Sequence, residues 1–201
     1  MSAANSPSRW KDPRGPYIRL YDGFKWFLLH PKAEDFSLDR ISHHMARISR
    51  YTGASTYTNG QHSVVAAQMA NRFYPNARLL PAKMLIHDVA ESVLNDVSSP
   101  LKSLLPDYRA LETLHDAAVE ERFDLTFLDD PLVKEVDDRM WLTERLVVYP
   151  MLSREDDYTG PLEEFPLTED ELMDDFTPWA VEVVEHELRI AFAQLLPWIA
   201  K

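Results

Sequence analysis

A mainly α fold, a helical bundle carrying one small N-terminal β-hairpin, is what the 201-residue chain predicts. From Ser37 onward apolar residues recur at three- and four-residue spacing in one segment after another, the period of helices that bury one face. Prolines stand at the edges of these segments, as at Pro75 and Pro81, where a helix ends or tolerates proline in its first turn. Alternating β-formers occur in "YIRLYDGFKWFLL", Tyr17 to Leu29, around Asp22-Gly23, a dipeptide that favours a tight hairpin turn.

Taken in order, residues 1–16, rich in Ser, Pro and charge, predict a flexible arm. Residues 17–29 predict the hairpin. "SLDRISHHMARISRYTG" has Ser37 in N-cap position, Leu38, Ile41, Met45 and Ile48 at helical spacing, and Gly53 past its end, so it predicts the first helix. "QHSVVAAQMANRFYP" and "ARLLPAKMLIHDVAESVL" predict two more, followed by "YRALETLHDAAVEERF" and "PLVKEVDDRMWLTERLVVYP". The acidic stretch 153–176 interrupts the pattern and predicts a solvated loop. "TPWAVEVVEHELRIAFAQLLPWI" predicts a terminal helix. Residues 17–201 therefore read as one domain, and 45% hydrophobic with 11% aromatic residues suffice for one substantial core.

Composition narrows the function. A formal charge of −12, from 33 acidic against 21 basic residues, opposes binding to a nucleic-acid polymer, which needs a cationic surface. Small anionic ligands stay open, since a local cation overrides the global field. With no cysteine there are neither disulfides nor thiolate metal sites. "MSAANSPSRWKDPRGP" lacks the apolar core of a signal peptide, and no apolar run is long enough to span a bilayer, so no membrane role and a cytoplasmic location are expected.

Two His-Asp dipeptides carry ionisable chemistry. His115-Asp116 sits opposite Leu111, Leu114 and Ala118, which predicts a solvated helix face. His87-Asp88 follows "MLI" at the end of a helix that must be buried, and burying such groups needs compensation. His87 reads equally as a hydrogen-bonded core histidine and Asp88 as a cap, or the two read as metal ligands. His62, at the start of an apolar helix face, and Asp137, in another helix, complete a set of two imidazoles and two carboxylates. Such an N/O set suits one divalent transition metal ion, Mn, Co, Fe or Zn, with positions left for water or substrate.

The order His62, then His87-Asp88, then Asp137 resembles the H…HD…D signature of HD-domain metal-dependent phosphohydrolases. "HDVAESVLNDVSSPLK" is similar to the matching segment of bacterial 5′-deoxynucleotidases and related bacterial and phage proteins, where HD is followed by Glu, Asp, Pro and Lys. "ISHHMARISRYTG" leading to "GQHS" resembles their first helix, ending in an Arg-aromatic pair. "VDDRMWLTE" resembles their Asp-x6-Glu stretch, which selects Asp137 over Asp138 by its spacing from Glu144. The resemblance covers about Ser37 to Leu146.

It implies an HD-type helical bundle in which His62, His87, Asp88 and Asp137 hold the cation. Glu91 then orients or deprotonates the water or passes a proton to the leaving oxygen, and Asp96 serves the leaving group or sugar. Arg50 and Tyr51 match the Arg-aromatic pair, the arginine fork suiting a phosphate or a base edge and the ring a deoxyribose, although the family's deoxynucleotidases carry Trp where this chain has Tyr51. Lys102 adds charge near the phosphate, or lies exposed after its proline turn; His43 lines the pocket, or is structural. Trp141, Trp179 and Trp198 read as core. The activity implied is removal of the 5′-phosphate from deoxynucleoside monophosphates. The alternatives are triphosphohydrolysis of deoxynucleoside triphosphates at the same site, or a non-catalytic nucleotide-binding module. Relatives form dimers or larger assemblies, and the apolar terminal helix offers a surface for a homo-oligomer.

Overall fold

The computed structural model describes residues 12–153 and 158–199. It is mainly α with a two-stranded antiparallel hairpin at the N-terminal end. Strand β1, Tyr17–Arg19, pairs with β2, Lys25–Phe27, in the register Tyr17↔Phe27, Ile18↔Trp26 and Arg19↔Lys25. Asp22-Gly23 does not form a two-residue turn. Leu20 and Phe24 close a three-residue loop, with Gly23 in left-handed conformation (φ 84°) and Asp22 Oδ1 accepting from the Phe24 N–H. Of the expected arm, residues 1–11 lie outside the described residues. Asp12 to Gly15 form a turn instead, and the Arg14 guanidinium rests 3.7 Å from the centroid of the Phe27 ring.

The helices begin where the sequence supplies caps. Ser37 caps α1, Leu38–Met45, by accepting from the Arg40 N–H, and Thr58 caps α2, Asn59–Phe73, by accepting from Gln61. Helix α1 is shorter than its apolar spacing predicts. The chain leaves it at Ala46, and Ser49 pairs as a lone bridge with Thr58, clasping the turn between them. Helix α2 is the centre of the molecule, buried on nearly every side from Asn59 to Ala70. A Cβ on Gly60 would stand 2.7 Å from Val184 and 2.8 Å from Leu188, so this residue's lack of a side chain lets the terminal helix close on α2.

Where one helix is predicted through "LLPAKMLIHDVAESVL", two short ones form. Helix α3, Leu80–Ile86, stops at His87, and α4, Glu91–Leu94, begins after a tight turn whose bonds run Val89 N–H to Ile86 and Glu91 N–H to Asp88. Then come α5, Ser99–Lys102, α6, Pro106–Phe123, and α7, Pro131–Val148. The acidic stretch is not a plain loop. Residues 154–157 lie outside the described residues, but Phe165 and Phe176 are buried and Glu169–Phe176 form α8, opened by a Thr168/Glu171 capping box. Helix α9, Val181–Leu195, closes the bundle by packing on α1, α2 and α3. No helix among the described residues is long and apolar enough to cross a membrane.

Candidate functional site

The turn between α3 and α4 sets His87 facing His62, which α2 carries, while α7 brings Asp137 to both. His62 Nε2 lies 3.3 Å from His87 Nε2 and 3.3 Å from Asp137 Oδ1, and His87 Nε2 lies 3.6 Å from the same oxygen. The other ring nitrogens are already committed. His62 Nδ1 meets Glu144 Oε1, and His87 Nδ1 donates to the Met84 carbonyl at 2.8 Å. Both Nε2 atoms are therefore the free positions, and each can take a proton or a cation.

For ligand bonds of about 2.1 Å, neighbouring donors of an octahedral or tetrahedral ion stand about 3.0–3.4 Å apart. The observed triangle is that size to within a few tenths of an ångström, so these three side chains fit a divalent transition metal. Asp88 stands beside them, 3.4 Å from His87 Nε2 and 3.8 Å from His62 Nε2, with its Oδ2 drawn 3.2 Å from Arg50 Nη1. Three of the four expected ligands thus converge, and the fourth is shared with an arginine.

Electrostatics follow from this crowding. Burial and Arg50 push His62 down, yet Glu144 and Asp137 override them and raise it to about 10. His87 is likewise raised by Asp88 and Asp137 against burial. Asp137 is held well below the usual carboxylate range by the two imidazoles, although burial opposes this. A cation entering a site so arranged would have to displace protons held there.

Beside the triangle, reached through Asp137 and Asp88 and not lined by the two histidines, opens a cavity of about 470 Å³, within the range of small-molecule sites. Arg50, Tyr51, Asp88, Glu91, Asp96, Lys102 and Asp137 all line it, as do Ser98, Ser99, Asp138 and Trp141. Glu91 is buried. Lys102 Nζ donates to its Oε1 at 2.9 Å and the Asn59 amide donates to Oε2. Burial and the Asp88 carboxylate push Glu91 up to about 8 against the pull of Lys102, with Asp96 adding to the push. Asp96 is itself raised by burial, against Arg50. Lys102 is not a loose surface lysine, for Glu91 and Glu112 both hold it.

Arg50 and Tyr51 are set by a left-handed turn. Tyr51, Thr52 and Gly53 have φ of 58°, 54° and 82°, a conformation that costs the first two residues strain and is natural only to the glycine. The Tyr51 hydroxyl and Arg50 Nε both reach Glu144 Oε2, at 2.5 and 3.3 Å, so one buried carboxylate orients His62, Tyr51 and Arg50 together.

Other expectations are corrected. His43 does not reach the cavity; its ring stacks on Tyr21 at 3.8 Å and its Nδ1 lies 3.7 Å from Glu185. His115-Asp116 is not a solvated face. His115 is fully buried, accepts the Trp26 indole N–H at 3.0 Å and donates to the Leu111 carbonyl, while Asp116 is buried beside it. The apolar spacing of α6 missed this because the hairpin covers its polar side. Trp141 lines the cavity rather than the core. Sequence reasoning also passed over Asn59, whose contact with Glu91 joins residues 32 positions apart and leaves no local signal.

No family model matches the chain. It is 29% identical over 131 residues to the uncharacterized protein YfdR of Escherichia coli strain K12, covering 64% of this chain and 70% of YfdR. It is 30% identical over 113 residues to an uncharacterized protein of Rhodobacter capsulatus, covering 53% of this chain and 58% of that protein. Neither relative's name states an activity.

Proposed function

We propose that the chain is an HD-type, metal-dependent phosphohydrolase that removes the 5′-phosphate from deoxynucleoside monophosphates. One observation carries this most: two imidazole Nε2 atoms and a carboxylate oxygen meet within 3.3–3.6 Å at the edge of a cavity that is also lined by Asp88, Glu91, Asp96, Asp138 and an arginine. His62, His87 and Asp137 would hold the ion, with Asp88 close enough to join them. When bound there, a divalent ion lowers the pKa of water and offsets charge on a phosphoryl oxygen.

The chain's own residues supply the rest. Glu91, poised near neutrality and fixed by Asn59 and Lys102, can take a proton from the attacking water or give one to the leaving oxygen. Asp96 faces the same space and suits the sugar or leaving group. The Arg50 fork suits a phosphate, and the Tyr51 ring, held by Glu144, gives a fixed wall against which a deoxyribose would pack.

A monophosphate is favoured over a triphosphate by the cavity's charge. Among its described lining residues the cations are Arg50 and Lys102, and both already sit in ion pairs, Arg50 with Asp88 and Glu144, Lys102 with Glu91 and Glu112. The longer, more highly charged chain would meet carboxylates without further counter-charge.

The protein loaded separately with Mn, Co, Fe or Zn should release inorganic phosphate from deoxynucleoside monophosphates. Release of triphosphate from the triphosphates would favour the alternative hydrolase. Saturable binding with no product from any nucleotide would mark a binding module and overturn the proposal. Glu91→Gln is expected to lower kcat by about 10²- to 10⁴-fold, with metal content unchanged.

A further inference from the structure

We infer that Trp141 is a stacking platform for the substrate's planar base, so that the cavity selects nucleotides over phosphate esters that lack one. This rests on the phosphohydrolase proposal for the position of the phosphate. The helical register provides the placement. Trp141 lies four residues after Asp137 on α7, hence on the same face and about 6 Å further along the axis. Both line the cavity. That offset is comparable with the separation between phosphate and base in a nucleotide, so a phosphate beside Asp137 brings its base to the indole.

The rest of the lining is ionic or small, except for Tyr51, whose hydroxyl is tied to Glu144 and whose ring meets Tyr149 edge-on at 5.8 Å. Trp141 is braced. The Arg145 guanidinium lies 5.2 Å from its ring centroid, and Tyr158 meets it edge-on at 6.1 Å. A buried arginine over one face of an aromatic ring steadies its plane, and base-aromatic stacking is tolerant of base identity while growing with ring area. A burial role would leave the indole in the core; instead it is half-buried at the cavity wall.

The test compares metal-loaded native protein, Trp141→Phe and Trp141→Ala on deoxyadenosine 5′-monophosphate and on deoxyribose 5-phosphate, which has the same sugar and phosphate and no base. The native kcat/KM should favour the nucleotide. Trp141→Ala should lower that preference by about 5- to 100-fold, while Trp141→Phe keeps most of it. Equal losses on both substrates, or no loss on either, would overturn the platform.

A second measurement separates this failure from failure of the phosphohydrolase proposal. Nucleotide titration of the native protein should quench indole fluorescence, with deoxyribose 5-phosphate giving no quench and Trp141→Phe abolishing the change. Quenching without turnover would leave the platform standing and sink the hydrolase. Turnover with a quench that persists in Trp141→Phe would do the reverse, and the absence of both turnover and quench would overturn both.

Discussion

Glu144 touches the cavity only through others, yet it decides what they do. Its two oxygens fix the His62 ring and tether Tyr51 and Arg50, and the arginine and His62 hold its carboxyl below the usual range although burial opposes this. A carboxylate behind a ligating imidazole fixes its tautomer and raises its basicity. Glu144→Ala should therefore weaken metal affinity by about 10- to 100-fold, read by competition with a coloured chelator; a change under twofold would remove it from that role. Asp116 allows a separate test through pH. Burial, then Glu112 and Asp88, push it up to about 7, so the fold favours its protonated form. Its contribution to stability is complete below about pH 4, the unfolded value, and is lost as pH climbs to 7, a change of at most about 4 kcal/mol. Asp116→Asn keeps the shape without the charge. In metal-free protein its advantage over native in urea unfolding should be near zero at pH 4 and grow until about pH 7, and a difference that stays flat with pH would show that Asp116 does not sense this field.

At the scale of elements, the turn between α3 and α4 explains both what the sequence disclosed and what it withheld. Six helical segments, their order and the Ser37 cap were legible, since Ser37, Pro81 and the apolar periods act locally; the split into α3 and α4 and the short helices α5 and α8 were not. The break at His87 was not, because Val89, Ala90 and Val93 stay buried whether the backbone is helical or tightly turned. The same blindness covers Asp88, which the turn points partly at Arg50, and Glu91, whose partners Asn59 and Lys102 come from α2 and α5 rather than from its own helix. His115 was misread because the strand that covers it lies 89 residues away in sequence. The element ends under strain. Asn95 has φ 64° and ψ 159°, a region that essentially only glycine occupies, and its carbonyl is pinned by the Tyr108 hydroxyl at 2.9 Å. Asn95→Gly should relieve about 1–3 kcal/mol of strain against about 0.5–1 kcal/mol of added chain entropy. A net gain near 1 kcal/mol raises Tm by about 2–4 °C in a chain this size, while kcat falls because the neighbouring Asp96 is held less firmly. A lower Tm would show that Asn95 stores no strain.

For the whole molecule, the candidate centre is a cross-link. His62, His87 and Asp137 belong to α2, to the end of α3 and to α7, and these three pack on one another around the buried central helix. Without a cation their meeting depends on protons shared between two imidazoles with little exposure and a partly exposed carboxylate. An ion that binds the assembled triangle and not the unfolded chain must stabilise the native state by mass action, about 2.7 kcal/mol at a hundredfold excess over Kd. At this size that is a rise in Tm of roughly 5–10 °C, reversible with chelator. Asp137→Ala should lose the metal-dependent increment even if its metal-free Tm is close to native. The gain should also have an address: amide exchange should slow in α2, α3 and α7 more than in the hairpin, none of whose residues is among the described lining of the cavity. Equal Tm with metal and with chelator, or an increment that survives Asp137→Ala, would mean that these three helices converge for packing alone.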